Sequence, residues 1–227
     1  MENLFKEVKN YLRYLKELGI SEVPYAQEWK NLFQIESFYS QETFETLKER
    51  VLNCKDCALH RIRKRPIWGD GNPEALLMLI TEYPDREEDF YERPLVGMVG
   101  EFLKKMFLSI KLTWEHFFIT HTVKCKTPGG RPPEPEEIQA CKKYLLKQIK
   151  LLKPKLILAL GFTPVKVFLE HKVIFSHIRG QVFNFQESMI VFTYHPNYIF
   201  KNPSARRLIW EDFQKFKKLY EEIFKNS

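Results

Sequence analysis

Four short apolar runs constrain this chain more than any other feature: "ALLMLI" (75–80), "FFIT" (117–120), "LILALG" (156–161) and "MIVFTYH" (189–195). Runs of this length without polar alternation are expected of strands buried on both faces. Helical patterns separate them, over roughly 97–110, 134–152 and 163–169, and a further one at 204–224 closes the chain. Strands alternating with helices predict an α/β domain whose central, mainly parallel four-stranded sheet is flanked by helices. In such a sheet the ligand crevice lies beyond the carboxyl ends of the strands. The polar stretches "TEYPDREED" (81–89), "HTVKCKTPGGR" (121–131) and "HPNYIFKNP" (195–203) each follow an apolar run, so chemistry is expected there.

The first part of the chain reads differently. Leu4, Val8, Tyr11, Leu12, Leu15 and Leu18 form a helical stripe, and Gly19 supplies a stop. A second helix is expected from near Ser40 through Phe44, Leu47 and Val51 toward Asn53. Residues 1–50 are therefore expected to be a helical extension, either a docking element for a protein partner or a brace on the body. Residues 51–227 make the α/β domain.

A hydrophobic content of 44% excludes disorder as the main state. No run of about 18 apolar residues is present, so no membrane-spanning helix is expected. The opening "MENLFKEVKN" is charged and lacks the apolar region of a secretory signal, which points to a cytoplasmic protein. Net charge is +7, yet residues 1–53 hold seven Lys/Arg against nine Asp/Glu, so the excess of cations lies in the body. A basic body suits a polyanion such as DNA, whose condensed counterions are released when Lys or Arg meets phosphate. A lysine-rich solvated surface would produce the same count. The run "HRIRKR" (60–65) is open to both readings.

Cys54 and Cys57 form a C-x2-C pair, while Cys125 and Cys141 stand apart. In a cytoplasmic protein such cysteines are metal ligands or core residues more often than disulfides. One close pair plus two distant singles suits a four-thiolate site gathered from separate segments, holding zinc or an iron–sulfur cluster. Cys141 also falls on the stripe Ile138, Cys141, Leu145, Ile149, Leu152, where a plain core cysteine would fit.

The order C-x2-C, "TEYPDREEDFYERPLVG", "ITHTVKCKTPGGRPPEPEEIQACKKYL", "LILALG", "RGQ" and "TYHPNYIFKNP" resembles the family-4 uracil-DNA glycosylases over about residues 50–220. The resemblance implies a parallel sheet between helices and a structural 4Fe–4S cluster on Cys54, Cys57, Cys125 and Cys141, with zinc the alternative. It implies a monomeric, monofunctional DNA-repair enzyme of the cytoplasm, associated with the nucleoid. Such an enzyme hydrolyses the N-glycosidic bond of uracil or a related deaminated base in single- or double-stranded DNA. His195 matches the family histidine that donates to the base oxygen, Glu82 the acid of the first motif, and Glu88 an acid of the pocket wall. Tyr83, with Thr81 and Asp85, replaces small residues of that motif. Leu95 stands at the position of a stacking phenylalanine, and His121 at that of a base-reading asparagine. Gly130 replaces the asparagine before Arg131. Arg131, Arg179 and Asn202 are expected to meet the DNA backbone. A strand-end histidine bonded to a neighbouring loop is the bland account of His121. The combined changes at Leu95, His121 and Gly130 also allow a non-catalytic iron–sulfur DNA-binding protein with the same fold.

Overall fold

The computed structural model describes residues 42–169 and 173–224. The helix expected over residues 1–18, and the expected extension as far as residue 41, lie outside them. The described elements run in chain order α1 (Phe44–Leu52), β1 (Asp70–Gly71), β2 (Leu77–Thr81), α2 (Arg86–Tyr91), α3 (Gly97–Ser109), β3 (Phe117–His121) and α4 (Pro135–Leu152). There follow β4 (Leu156–Leu160), α5 (Phe162–Phe168), α6 (Phe175–Ile178), β5 (Val182–Phe185), β6 (Ser188–Thr193), α7 (Pro196–Lys201) and α8 (Arg206–Phe224).

The sheet has six strands in the order β1-β3-β2-β4-β6-β5. The four apolar runs supply β2, β3, β4 and β6, which pair in parallel. Every residue of β2, β3 and β4 is buried, which is why these segments carry no polar alternation. The expected count of four strands is corrected by two antiparallel edges, β1 against β3 and β5 against β6. Neither edge announces itself. β1 is only Asp70–Gly71, and "VFNF" of β5 has alternating exposed and half-buried residues, as an edge covered on one side should.

Local chemistry sets the helix ends. Thr43 caps α1 reciprocally with Thr46, Asp85 caps α2 with Glu88, and Glu134 caps α4 with Glu137 behind Pro135. Leu47 and Val51 of α1 are fully buried, so this helix packs into the body's core. Helix α8 offers Ile209, Phe213 and Phe216, and Phe213 meets Phe107 of α3 with ring centroids 5.0 Å apart. Among the described residues, no helix is long and apolar enough to cross a membrane.

The chain order carries β3 to one side of β2 and β4 to the other. The carboxyl ends of β2, β3, β4 and β6, at Thr81, His121, Leu160 and Thr193, therefore open on one rim. Functional side chains should collect there.

Behind the rim, Arg179 locks the turn before β5 to α8. Its guanidinium lies 2.8 Å from Asp212 Oδ1 and donates through Nε to Oδ2 at 3.1 Å, while Thr193 Oγ1 donates to the same Oδ2 at 2.7 Å. Asp212 is fully buried and the Arg179 side chain only 12% exposed. The expectation that Arg179 meets DNA is thereby corrected, because its charge neutralises an acid inside the fold. Arg179→Ala leaves that acid without its cation, so a stability loss of about 3–5 kcal/mol is expected. Thermal unfolding should report this loss, and the DNA affinity of the remaining folded protein should stay within about twofold of the parent. A large affinity loss with an unchanged melting temperature would return Arg179 to the DNA surface.

Candidate active site and thiol cavity

Glu82 follows β2 directly, and its Oε1 accepts from Phe162 N (2.9 Å), Thr163 N (3.0 Å) and Thr163 Oγ1 (3.0 Å). The carboxylate is thus held on the first turn of α5, where free N–H groups favour negative charge. Gly161 makes the approach possible. Its φ is +88°, and a Cβ there would stand 2.4 Å from Glu82 Cδ. Tyr83 lines the same pocket, and burial together with the neighbouring Glu82 raises its phenol above the usual range, keeping it protonated.

His195 ends the segment after β6 and caps α7, its Nδ1 accepting from Asn197 N at 3.2 Å. An imidazole that accepts at Nδ1 carries its proton on Nε2. Burial holds its pKa below the ordinary 6.5, against the opposing pull of Glu82 and Glu88, so the ring is neutral near pH 7. The neutral Nε2–H is then the available donor.

Glu88 is fixed from three sides. Oε2 accepts from Asp85 N (2.9 Å), Oε1 accepts from Leu95 N (2.6 Å), and His121 Nε2 stands 3.2 Å from Oε1. Burial pushes its carboxyl up, but His121 and the two backbone N–H groups outweigh that and hold the pKa below the usual value. Asp85 is raised by burial and by the adjacent Glu88 and Glu87.

A pocket of about 310 Å³ is bounded by Glu82, Tyr83, Asp85, Glu88, Val99, Gly130, Phe162, His195, Asn197, Tyr198 and Lys201. Four expected residues, Glu82, Tyr83, Glu88 and His195, therefore share one wall system. Two others do not. His121 is fully buried behind Glu88 and absent from the lining, which corrects its expected place at the base edge. Leu95 has a left-handed φ of 54° and is 4% exposed, with its side chain in the hydrophobic core. The turn that carries it bends inward to satisfy Glu88, so it is no pocket lid. Phe162, Asn197, Tyr198 and Lys201 escaped the sequence reading, although each lies just past a strand's carboxyl end, where the crevice rule points.

The expected DNA contacts fare unevenly. Arg131 forms a two-pronged pair with Glu137 (2.7 and 2.9 Å), bracing the start of α4. Asn202 is exposed and closes α7, its Nδ2 donating to Tyr198 O at 3.0 Å. In "HRIRKR", Lys64 and Arg65 pair with Glu92 at the surface, while Arg63 turns inward to Cys125.

Cys54, Cys57, Cys125 and Cys141 line a second cavity with Val51, Pro66, Val123 and Ala140. Three segments thus bring four thiols to one apolar space. Arg63 Nη1 donates to Cys125 Sγ at 2.9 Å, Lys124 N to Cys141 Sγ at 3.3 Å, and Asp56 N to Cys54 Sγ at 3.5 Å. Burial pushes Cys125 up to about 11 and Cys141 up to about 12, and raises Cys57 too. Thiols so placed ionise only against a strong positive charge, and the N–H donors stand ready to share the resulting negative charge. The donor set therefore fits a thiolate-bound metal group. Among the described residues, no His, Cys, Asp or Glu triplet is drawn together tightly enough to grip a single ion.

The two sites are joined by Lys124, which is 1% exposed. Its Nζ lies within hydrogen-bond reach of Thr120 Oγ1 (2.5 Å), His121 O (2.6 Å) and Gln148 Oε1 (2.6 Å), while burial lowers its pKa to about 7.

Residues 68–223 match the Uracil DNA glycosylase superfamily. The chain belongs to this superfamily. Among its relatives, a Type-4 uracil-DNA glycosylase of Sulfurisphaera tokodaii is 40% identical over 187 residues, 78% of this chain and 85% of that protein. Type-4 uracil-DNA glycosylases of Thermotoga maritima and Archaeoglobus fulgidus are 35% and 32% identical, each match covering 78% of this chain and 94% of the relative. The pocket thus lies at the rim of strand ends where the crevice was expected.

Proposed function

We propose that the protein is a DNA-repair N-glycosylase that hydrolyses the bond joining uracil, or a related deaminated base, to deoxyribose. The observation that carries this reading is a neutral His195, its Nε2–H freed by the Asn197 cap, on the same pocket wall as Glu82. A base must leave the stack to reach such a pocket. As the C1′–N bond breaks, its electron pair moves onto the base and spreads to a carbonyl oxygen attached to the ring. A preorganised N–H donor such as His195 then stabilises charge that develops only in the transition state. Water adds its oxygen to C1′, and the base leaves with a proton. Glu82, with Oε1 bound by α5, keeps its second oxygen for positioning that water. Glu88 offers a fixed acceptor to an N–H on the base edge, as uracil and hypoxanthine both possess.

For the thiol cavity, Cys54, Cys57, Cys125 and Cys141 would hold a 4Fe–4S cluster, with zinc the alternative. Bound there, the group ties three segments together and contributes no redox step. The substrate is DNA. The protein acts as a monomer in the cytoplasm, with the residues ahead of α1 as an extension that can engage a protein partner.

Incubating the full chain with oligonucleotides containing uracil, hypoxanthine or xanthine, then cleaving with alkali, tests the activity. Strand breaks at the modified position are expected. The absence of abasic product at high enzyme excess for all three bases would leave the second reading, a DNA-binding protein without catalysis. That reading draws on the inward turns of His121 and Leu95.

The pH profile carries a separate signature. Because burial lowers the His195 pKa, single-turnover excision should stay flat as pH falls through 6.5 and decline only further into acid. Protonation there places a proton on Nδ1 against the Asn197 N–H and breaks the cap. An acid limb centred at or above 6.5 would contradict a histidine held neutral in the pocket wall.

A further inference from the structure

The turn that would have carried a stacking ring carries Leu95, directed into the core, yet the pocket is not short of aromatic surface. Phe162 and Tyr198 both line it, with 47% and 36% of their surfaces exposed. They come from separate elements, the first residue of α5 and the third of α7. Neither ring is free to swing. Tyr198 lies parallel to Tyr194, with centroids 4.4 Å apart and planes within 10°. Phe162 rests on Phe175 at 4.4 Å, and Phe175 in turn meets Tyr194 at 4.9 Å. The four rings make one connected bank whose buried members, Phe175 and Tyr194, are each 7% exposed. The outer members keep their open surface on the pocket.

We infer that Phe162 and Tyr198 form an aromatic clamp for the extruded base, replacing the stacking surface absent at Leu95. This rests on the glycosylase reading and adds to it the residues that hold the ring. A planar, uncharged base has π-faces that stack on any aromatic side chain, so two backed rings bind it without regard to its edge. The edge is then left to Glu88 and His195, and the clamp accepts either a pyrimidine or a deaminated purine. Backing matters because a ring already fixed in its plane loses little freedom when the base arrives.

The test compares the full-length protein with Phe162→Ala, Tyr198→Ala and Tyr198→Phe. Two otherwise identical single-stranded oligonucleotides are bound, one bearing excision-resistant 2′-fluoro-2′-deoxyuridine and one a tetrahydrofuran abasic analogue. Each alanine variant is expected to bind the uridine oligonucleotide about 10- to 100-fold more weakly, the range that follows removal of a stacked aromatic. Affinity for the abasic analogue should stay within about twofold, and Tyr198→Phe should behave as the parent. Single-turnover excision of uracil should fall with the uridine affinity.

Equal weakening toward both oligonucleotides would overturn the clamp, since it would mark a backbone contact or a damaged fold. Unchanged uridine binding and excision in both alanine variants would overturn it as well. If the parent itself yields no abasic product and binds the two oligonucleotides alike, the glycosylase reading fails and the clamp falls with it. A parent that excises uracil while the variants match it refutes the clamp alone.

Discussion

His195→Ala is expected to lower single-turnover uracil excision by about 10²- to 10³-fold, the usual consequence of losing one preorganised donor to a developing anion. The loss should fall on the chemical step, because the Nε2–H gains strength as charge moves onto the base. DNA affinity should stay within a few-fold of the parent. His195→Asn is a useful companion, since an asparagine keeps the cap on Asn197. If the asparagine variant restores stability but not excision, the donor and the cap are separated. A comparable fall in excision and DNA affinity for both variants would instead make His195 a binding or folding residue. A rate within threefold of the parent would remove it from the chemistry altogether.

The second large effect belongs to the thiol cavity. Protein purified without oxygen is expected to be brown, with broad absorbance near about 400 nm and iron in place of zinc. Cys141→Ser should abolish most of that absorbance. It should also lower the melting temperature by about 10 °C, as a loss of roughly 3–4 kcal/mol does in a domain of this size. Cys141 is the informative choice because it lies on the buried face of α4, where a core cysteine would serve equally well. Replacement of a plain core cysteine by serine destabilises without changing metal content. Colourless protein that holds zinc would reject the cluster and keep the four-thiolate site. Metal-free protein with an unaltered melting temperature would reject both.

The parallel core was readable because burial on both faces leaves only one pattern, the uninterrupted apolar run. Edges obey weaker rules. Asp70–Gly71 is two residues long, and half of "VFNF" faces away from the core, so neither stands out from loop sequence. Glu82 and His195 sit within two residues of a strand's carboxyl end, where the crevice rule points, and both line the pocket. His121 ends its own strand, yet it lies behind the pocket wall and not in it. Its position depends on Glu88, 33 residues earlier, whose carboxylate draws both His121 Nε2 and the Leu95 backbone toward itself. Arg179 was misread for the same kind of reason, since its partner Asp212 lies on the last helix. Phe162 and Tyr198 do not stand out because an aromatic residue in the first turn of a short helix reads as ordinary packing until the neighbouring rings are known.

The contact between Gly161 and Glu82 also limits how this chain can change over generations. Any side chain at 161 collides with the acid at 82 and must also accept a φ of +88°. A mutation at either codon therefore meets its constraint at the other. Shortening the acid would make room at 161, but only by discarding the carboxylate itself. With the acid shortened, the φ of +88° still favours glycine at 161, so the backbone keeps its part of the constraint after the contact is gone.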